Sequence, residues 1–350
     1  MPFPPSISIL KHILFLSYVF HFFLMLAVQN WTKNMLNGTS APRFVLLGFP
    51  ELQEFPFLSF VILLSIYLFV LLGNALIIVL SHIDVSLRFP MYFFLRHFSF
   101  LEMCYTSVTL PQLLGNVLRT SCAISFWTCL TQMYFFFFFG STEFLLLATM
   151  AYDRYLAICH PLQYPVLMDS HACVCLALGS WLIGFLTPFL PIAFISQLPF
   201  NSSNQINHFF CDTGPLIKLS TGNTFMADTI VFLVSAVIVL LSFLLTLTSY
   251  TLIVSTICHI PSVTGRHKAF STCSSHLMVV TIFYGTVIFT YLCPHSDQTF
   301  EMDKVVSLLY AVVTPVLNPI IYTLRNKDVK RAVEKVLYLY HVKNKQRKIS

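Results

Sequence analysis

Seven stretches of about twenty apolar residues alternate along this chain with shorter polar segments. They run at about Phe57–Ser81, Pro90–Leu110, Cys129–Tyr152, Ala172–Ile195, Asp228–Thr256, Phe270–Leu292 and Val305–Tyr322. A helix of that length, rising ~1.5 Å per residue, crosses the ~30 Å hydrocarbon layer of a bilayer. Each block therefore predicts a transmembrane helix. A membrane barrel would show ~10-residue alternating segments instead, and none are seen. The predicted fold class is an all-α membrane protein, a seven-transmembrane helix bundle.

Composition excludes the soluble alternative. Only 10% of residues are charged and 57% are hydrophobic, with a mean hydropathy of +0.78. A soluble domain is about a quarter charged, so this chain lacks the charge to cover a watery surface. Lys and Arg set the orientation. With a cytosolic C-terminus, the inner segments hold Arg88, Arg154, Arg266, Lys268 and the tail from Arg325 to Lys348, which is most of the twenty. That bias predicts a cytosolic C-terminus and an extracellular N-terminus. The sequons at Asn30, Asn37 and Asn201 all fall outside in this arrangement, as N-glycosylation requires.

Three regions follow. Residues 1–35 form an apolar extension, interrupted by Lys11, His12 and His21, that reads as a signal peptide, an extra span or the product of an upstream start. Residues 36–324 hold the seven-helix domain, and 325–350 a basic cytosolic tail with a short amphipathic helix. No nucleophile–base pair or metal-ligand cluster stands out, so an enzyme is not expected. A channel or transporter would call for inverted repeats or a path of ionisable groups, and neither is seen.

Specific motifs narrow the class. The third block ends in "MAYDRYLAICHPLQYPVLM", Met150 to Met168, and the seventh in "PVLNPIIYTLRN", Pro315 to Asn326. The first contains Gly73-Asn74, the second opens "PMYFFL" and the sixth "KAFSTCSSH", Lys268 to His276. Over residues 36 to 337 the chain resembles the odorant (olfactory) receptors, a branch of the rhodopsin-like G-protein-coupled receptors. Asp-Arg-Tyr and Asn-Pro-x-x-Tyr mark the wider family, and the other motifs mark the branch.

The resemblance implies a plasma-membrane, multi-pass receptor without a cofactor. It implies a small volatile odorant as ligand, a heterotrimeric G protein of the stimulatory olfactory type as partner, and cyclic AMP as output; nucleic acid is not an expected partner. Asp153, Arg154 and Tyr155 become the cytosolic switch, with Asn318, Pro319 and Tyr322 on the seventh helix. A disulfide between Cys129 and Cys211 is implied at the outer surface. Related receptors carry two more loop cysteines where this chain has Asn201 and Thr221, so a less constrained outer loop is expected. The "CSSH" residues Cys273 and His276 are read as packing groups, with metal ligation the lesser alternative.

The ligand cavity implied by the family lies between the third, fifth and sixth helices. Phe136, Phe137, Gly140 and Ser141 line it from the third, Val234 and Ile238 from the fifth, and Tyr284, Val287 and Tyr291 from the sixth. Phe136 stands where amine receptors of this architecture carry an acid, and the seventh block lacks the lysine an opsin needs. A neutral ligand held by apolar burial is expected. A receptor for an internal metabolite is the second reading. At ~100° per residue, Glu143 shares the face of Phe136, Gly140 and Arg154, below the expected cavity. Glu102 reaches a similar depth on the second helix. With Asn74 and Asn318 the two acids form either a sodium site or a protonated, hydrogen-bonded pair.

Overall fold

The computed structural model describes residues 43–118, 122–200, 205–292, 299–321 and 329–335. The extension 1–35, the three sequons and Tyr322 lie outside these. Seven long helices carry the fold: α1 (Pro56–Ile83), α2 (Pro90–Leu118), α3 (Phe126–Cys159), α4 (Ser170–Ile195), α5 (Phe225–His259), α6 (Val263–Leu292) and α7. The last runs as Thr299–Leu308, a wide π turn Leu309–Val313 and Thr314–Ile320. Pro315 has no N–H to give to the turn above it, which opens to π geometry.

Most helices overrun their apolar blocks, because the backbone keeps its ladder into the headgroup region until a cap or proline ends it. Pro56 starts α1 in the first turn, where its missing N–H costs nothing. Ser125 caps α3 by accepting the Thr128 N–H at 3.2 Å, and Asp169 caps α4 through the Ala172 N–H at 2.8 Å. The largest overrun is α2, expected to stop at Leu110 before Pro111. It continues to Leu118 with Pro111 inside. The carbonyl that Pro111 leaves unbonded belongs to Ser107, whose hydroxyl meets the Tyr67 hydroxyl at 2.9 Å in a small polar knot.

The helix α3 is the central post, packed against α2, α4, α5 and α6. Its most apolar window is 56% buried, against 11% for α5, which shows most of its surface to lipid. The helices α1, α3, α4 and α5 are long and apolar enough to cross a membrane. In α2 the apolar run is diluted by Arg96, His97 and Glu102, and α6 opens with Arg266, His267 and Lys268.

A three-stranded sheet tops the bundle, and the apolar pattern did not predict it. Strand β1 (Arg43–Leu46) lies in the middle, antiparallel to β2 (Cys122–Ser125) and parallel to β3 (Gln205–Ile206). Phe44 is fully buried, with Phe126 and Phe200 at ring distances of 6.2 and 5.5 Å. Gly48 follows β1 with φ of 62°, a left-handed turn that lets its N–H reach the His208 carbonyl at 3.2 Å.

His208 is the inner peg of this outer layer. Its ring stacks on Phe209 at 4.8 Å and its Nε2 meets the Ser307 hydroxyl of α7 at 3.3 Å. Burial pushes the imidazole below its usual pKa; Asp212 opposes this and Lys304 adds to it. A depressed folded value means the neutral ring contributes stability that is full above ~6.5 and is lost as pH falls from there through the lower folded value. The melting temperature should therefore drop between about pH 7 and 5. His208→Gln, which keeps a hydrogen-bonding group for Ser307, should flatten that slope, and equal slopes in both proteins would count against the role.

Candidate ligand cavity and cytosolic switch

On α3 the residues Phe136, Gly140, Glu143 and Phe144 recur at helical spacing and make one stripe toward α5 and α6. That stripe lines a cavity of about 250 Å³. Phe137 and Ser141 join it from α3, and Tyr105 closes it from α2. On α5 the wall is Val231, Ser235, Ile238 and Val239, and on α6 it is Phe283. Val234 is not on this wall. Tyr284 turns beneath it, its ring 5.6 Å from Phe144 and 5.3 Å from Phe243. Val287 and Tyr291 lie on helical backbone one and two turns above Phe283, and their side chains fall outside the described ones.

Glu143 is on the wall itself rather than below it. Its side chain is buried, and its carboxyl gives the cavity a polar floor. Asp212 and Thr213 of the outer loop form the roof. They are held there because Cys211 is bonded to Cys129 of α3, with Cα atoms 5.4 Å apart. Gln132 adds a second tie, accepting the Cys211 N–H at 3.1 Å and donating to the Val108 carbonyl of α2 at 2.9 Å. In the outer loop expected to be less constrained, Phe200 pairs with Ser220 and the Thr221 N–H reaches the Pro199 carbonyl at 3.1 Å.

At the floor of the cavity the two acids meet. Glu102 is fully buried, its Oε1 accepts from the Asn318 amide, and Glu143 lies beside its carboxyl. Asn74 is buried nearby on α1, but its amide donates to the Val70 carbonyl of its own helix at 3.0 Å. Pro319 lies where α7 presses on α1: a Cβ on Gly73 would stand 2.8 Å from its ring.

At the cytosolic end Arg154 is buried and donates from Nε to Asp153 at 3.0 Å, with Nη2 on the same oxygen. Tyr164, from the turn after α3, donates to the other Asp153 oxygen at 2.8 Å. Tyr155 points the other way, its hydroxyl 3.0 Å from His160 Nε2. A further pair was missed by the sequence reading. Tyr250 of α5 bonds His276 Nδ1 of α6 at 2.7 Å, and the His276 Nε2 is buried without a hydrogen bond. Cys273 packs with Tyr250, Ala151 and Ile253. Among the described residues no three His, Cys, Asp or Glu converge as metal ligands.

This arrangement has close counterparts. A sequence model of the olfactory receptor family matches residues 63–339. The chain belongs to the olfactory receptor family. Human olfactory receptor 11L1 is 51% identical over 301 residues, covering 86% of this chain and 94% of that protein. Mouse olfactory receptor 6B9 is 48% identical over 303 residues, covering 87% and 96%. Human olfactory receptor 10A7 is 48% identical over 301 residues, covering 86% and 95%. As a member, the chain is a multi-pass plasma-membrane G-protein-coupled receptor with the seven-helix bundle, and not an enzyme. The less apolar α2, α6 and α7 are thus membrane helices as well.

Proposed function

We propose that this receptor binds a small, mostly neutral volatile in the cavity between α3, α5 and α6 and activates the stimulatory olfactory G protein, raising cyclic AMP. The observation that carries the reading is the cavity's size and lining. At about 250 Å³ it lies below the ~300–1,000 Å³ of drug-sized pockets, and its walls join the rings of Tyr105, Phe136, Phe137, Phe144 and Phe283 to a few polar groups. Apolar burial at ~25 cal/mol per Å² supplies the affinity, and Ser141, Ser235 and Glu143 offer the few hydrogen bonds that orient a ligand. A bound odorant changes the packing of α3 against α5 and α6. Those same three helices meet at Tyr250, His276 and Arg154, where the Asp153–Arg154 pair holds the resting state and its release engages the G protein. Asn318, Pro319 and Tyr322 are assigned to the same switch.

A second element sits between the two. We assign Glu102, Glu143 and Asn318 to a cation or proton site that stabilises the resting state. Sodium and a shared proton both neutralise two facing acids. Asn74 joins it only after rotating away from Val70.

The test is a heterologous cyclic AMP assay against a panel of volatiles at matched surface expression. The wild type should respond to a subset. Gly140→Val should raise the half-maximal concentration for every active volatile by tenfold or more, a loss of ~1.4 kcal/mol or greater, because its methyls fill the cavity. A Cβ at Gly140 meets nothing closer than Tyr105 at 3.9 Å, so the fold should tolerate the change. Arg154→Ala should silence all responses without lowering surface expression. Silence of the wild type to every volatile, accompanied by ligand-driven ion flux, would overturn the reading.

A further inference from the structure

A second cavity, of about 560 Å³, opens on the outside of the bundle between α1, α2 and α4. Its walls are aromatic, with Phe93 and Phe100 of α2 and Trp181 of α4. Phe100 is 39% exposed there, on the lipid-facing surface. Set into this greasy recess is Arg96, about 9 Å along α2 from its start at Pro90. Its guanidinium lies over the Phe93 ring at 5.4 Å, and Nη1 reaches His82 Nδ1 of α1 at 3.1 Å. His97 beside it accepts the Trp181 indole N–H at 3.3 Å.

What is missing is an acid. Arg96 is half-buried, and among the described residues no carboxylate forms an ion pair with it. The titratable groups around it are two histidines, which add no negative charge. A lone cation within a membrane helix is costly unless something neutralises it. The neutralising group must reach the recess sideways from the membrane, since the interior face of α2 is packed against α3. A guanidinium offers a planar fork of donors matched to phosphate oxygens, and among the described residues only Nη1 of that fork has a hydrogen-bond acceptor, the His82 ring.

We propose that this recess binds an anionic phospholipid of the cytosolic leaflet, its phosphate on Arg96 and His82 and one acyl chain along Phe93, Phe100 and Trp181. The leaflet follows from the Lys and Arg bias, which puts the Pro90 end of α2 on the cytosolic side. The cytosolic leaflet is also where anionic lipids concentrate. An anionic headgroup fits better than a zwitterionic one because the site has a surplus cation and no acid to receive a choline. The site is separate from the odorant cavity and lies on the opposite side of α2.

The full-length receptor in lipid nanodiscs tests this, with phosphatidylcholine alone or mixed with phosphatidylserine. Native mass spectrometry should find one phosphatidylserine retained by the wild type, and thermal melting should rise with its mole fraction. Arg96→Gln should cut retention about tenfold, whereas Arg96→Lys, which keeps the charge but loses the fork, should keep part of it. In pure phosphatidylcholine Arg96→Gln should melt at or above the wild-type temperature, since it deletes an uncompensated charge, and this separates lost binding from misfolding. Lys330→Gln in the basic tail is the control for general headgroup attraction and should retain lipid normally. Any of three results would overturn the proposal: full retention by Arg96→Gln, equal retention of phosphatidylcholine, or equal stabilisation by inorganic phosphate. Loss of self-association in Arg96→Gln with lipid retention unchanged would also overturn it, assigning the recess to a second copy of the chain.

Discussion

Replacing Gly184 with alanine should leave little receptor at the cell surface, and adding Thr142→Ala should restore part of it. Gly184 sits on α4 where that helix crosses α3. A Cβ there would stand 2.0 Å from the Thr142 hydroxyl oxygen and 2.9 Å from the Thr142 backbone nitrogen. The hydroxyl could in principle swing away, but it is fully buried and donates to the Phe138 carbonyl at 2.8 Å. The nitrogen belongs to the helix and cannot move alone. The added methyl must therefore part α3 from α4, and small residues at such crossings are what lets membrane helices pack. Overpacking costs ~1–3 kcal/mol in ordinary cores and more where backbone is in the way. That is a large share of the ~5–15 kcal/mol that holds a typical protein folded. Thr142→Ala removes the closest clash but leaves the nitrogen, so rescue should be partial. Surface immunostaining and thermal melting of the four proteins of the cycle would measure the coupling. Wild-type surface levels for Gly184→Ala alone would show that the crossing is looser than its geometry implies.

That crossing illustrates what a single sequence can and cannot reveal. The seven spans were legible because length and lack of charge are dictated by the bilayer, and a bilayer reads both without regard to the rest of the chain. Their ends were less so: α2 runs past Pro111, beside which Ser107 and Tyr67, forty residues apart, meet. Helix faces were legible where polar landmarks interrupt the apolar run. On α3, Gly140, Ser141 and Glu143 orient the helix, and Phe136, Phe137, Gly140 and Ser141 all line the cavity. On α5 Ser235 is the lone polar residue between Ile230 and Leu241 and was passed over, since lipid and bundle interior both accept the apolar side chains around it. There Ile238 lines the cavity while Val231, Ser235 and Val239 take the rest of the wall in place of Val234. The outer sheet was invisible for a different reason. Strands of two to four residues pair Val45 with Ala123 and Gln205, and no local pattern encodes partners that distant. His276 was weighed only as packing or metal chemistry, and its bond to Tyr250 needed two helices to be placed side by side.

Glu143→Gln should raise basal cyclic AMP severalfold and remove any dependence of signalling on sodium. Glu143 belongs to two sites at once, the polar floor of the odorant cavity and the facing partner of Glu102. Glu102 already spends one oxygen on Asn318, and among the described residues no base pairs with either acid. Two buried acids without a base require a proton or a cation between them, and either ties α3 to α2 and, through Asn318, to α7. The amide of glutamine cannot hold sodium in the same way and removes the need for neutralisation, so that tie weakens. Couplings of ~1–3 kcal/mol correspond to 5–150-fold shifts, which sets the scale of the change in basal activity. Linkage then fixes a further result. If sodium lowers odorant affinity in the wild type, odorant must lower sodium affinity by the same factor, because the thermodynamic cycle closes. Concentration–response curves in sodium and in an impermeant organic cation, for wild type, Glu143→Gln and Glu102→Gln, would measure it. Sodium-independent curves in all three would eliminate the ion and leave the shared proton. Unchanged basal signalling in both variants would detach the acid pair from the switch altogether, leaving Glu143 as a contact for the ligand alone.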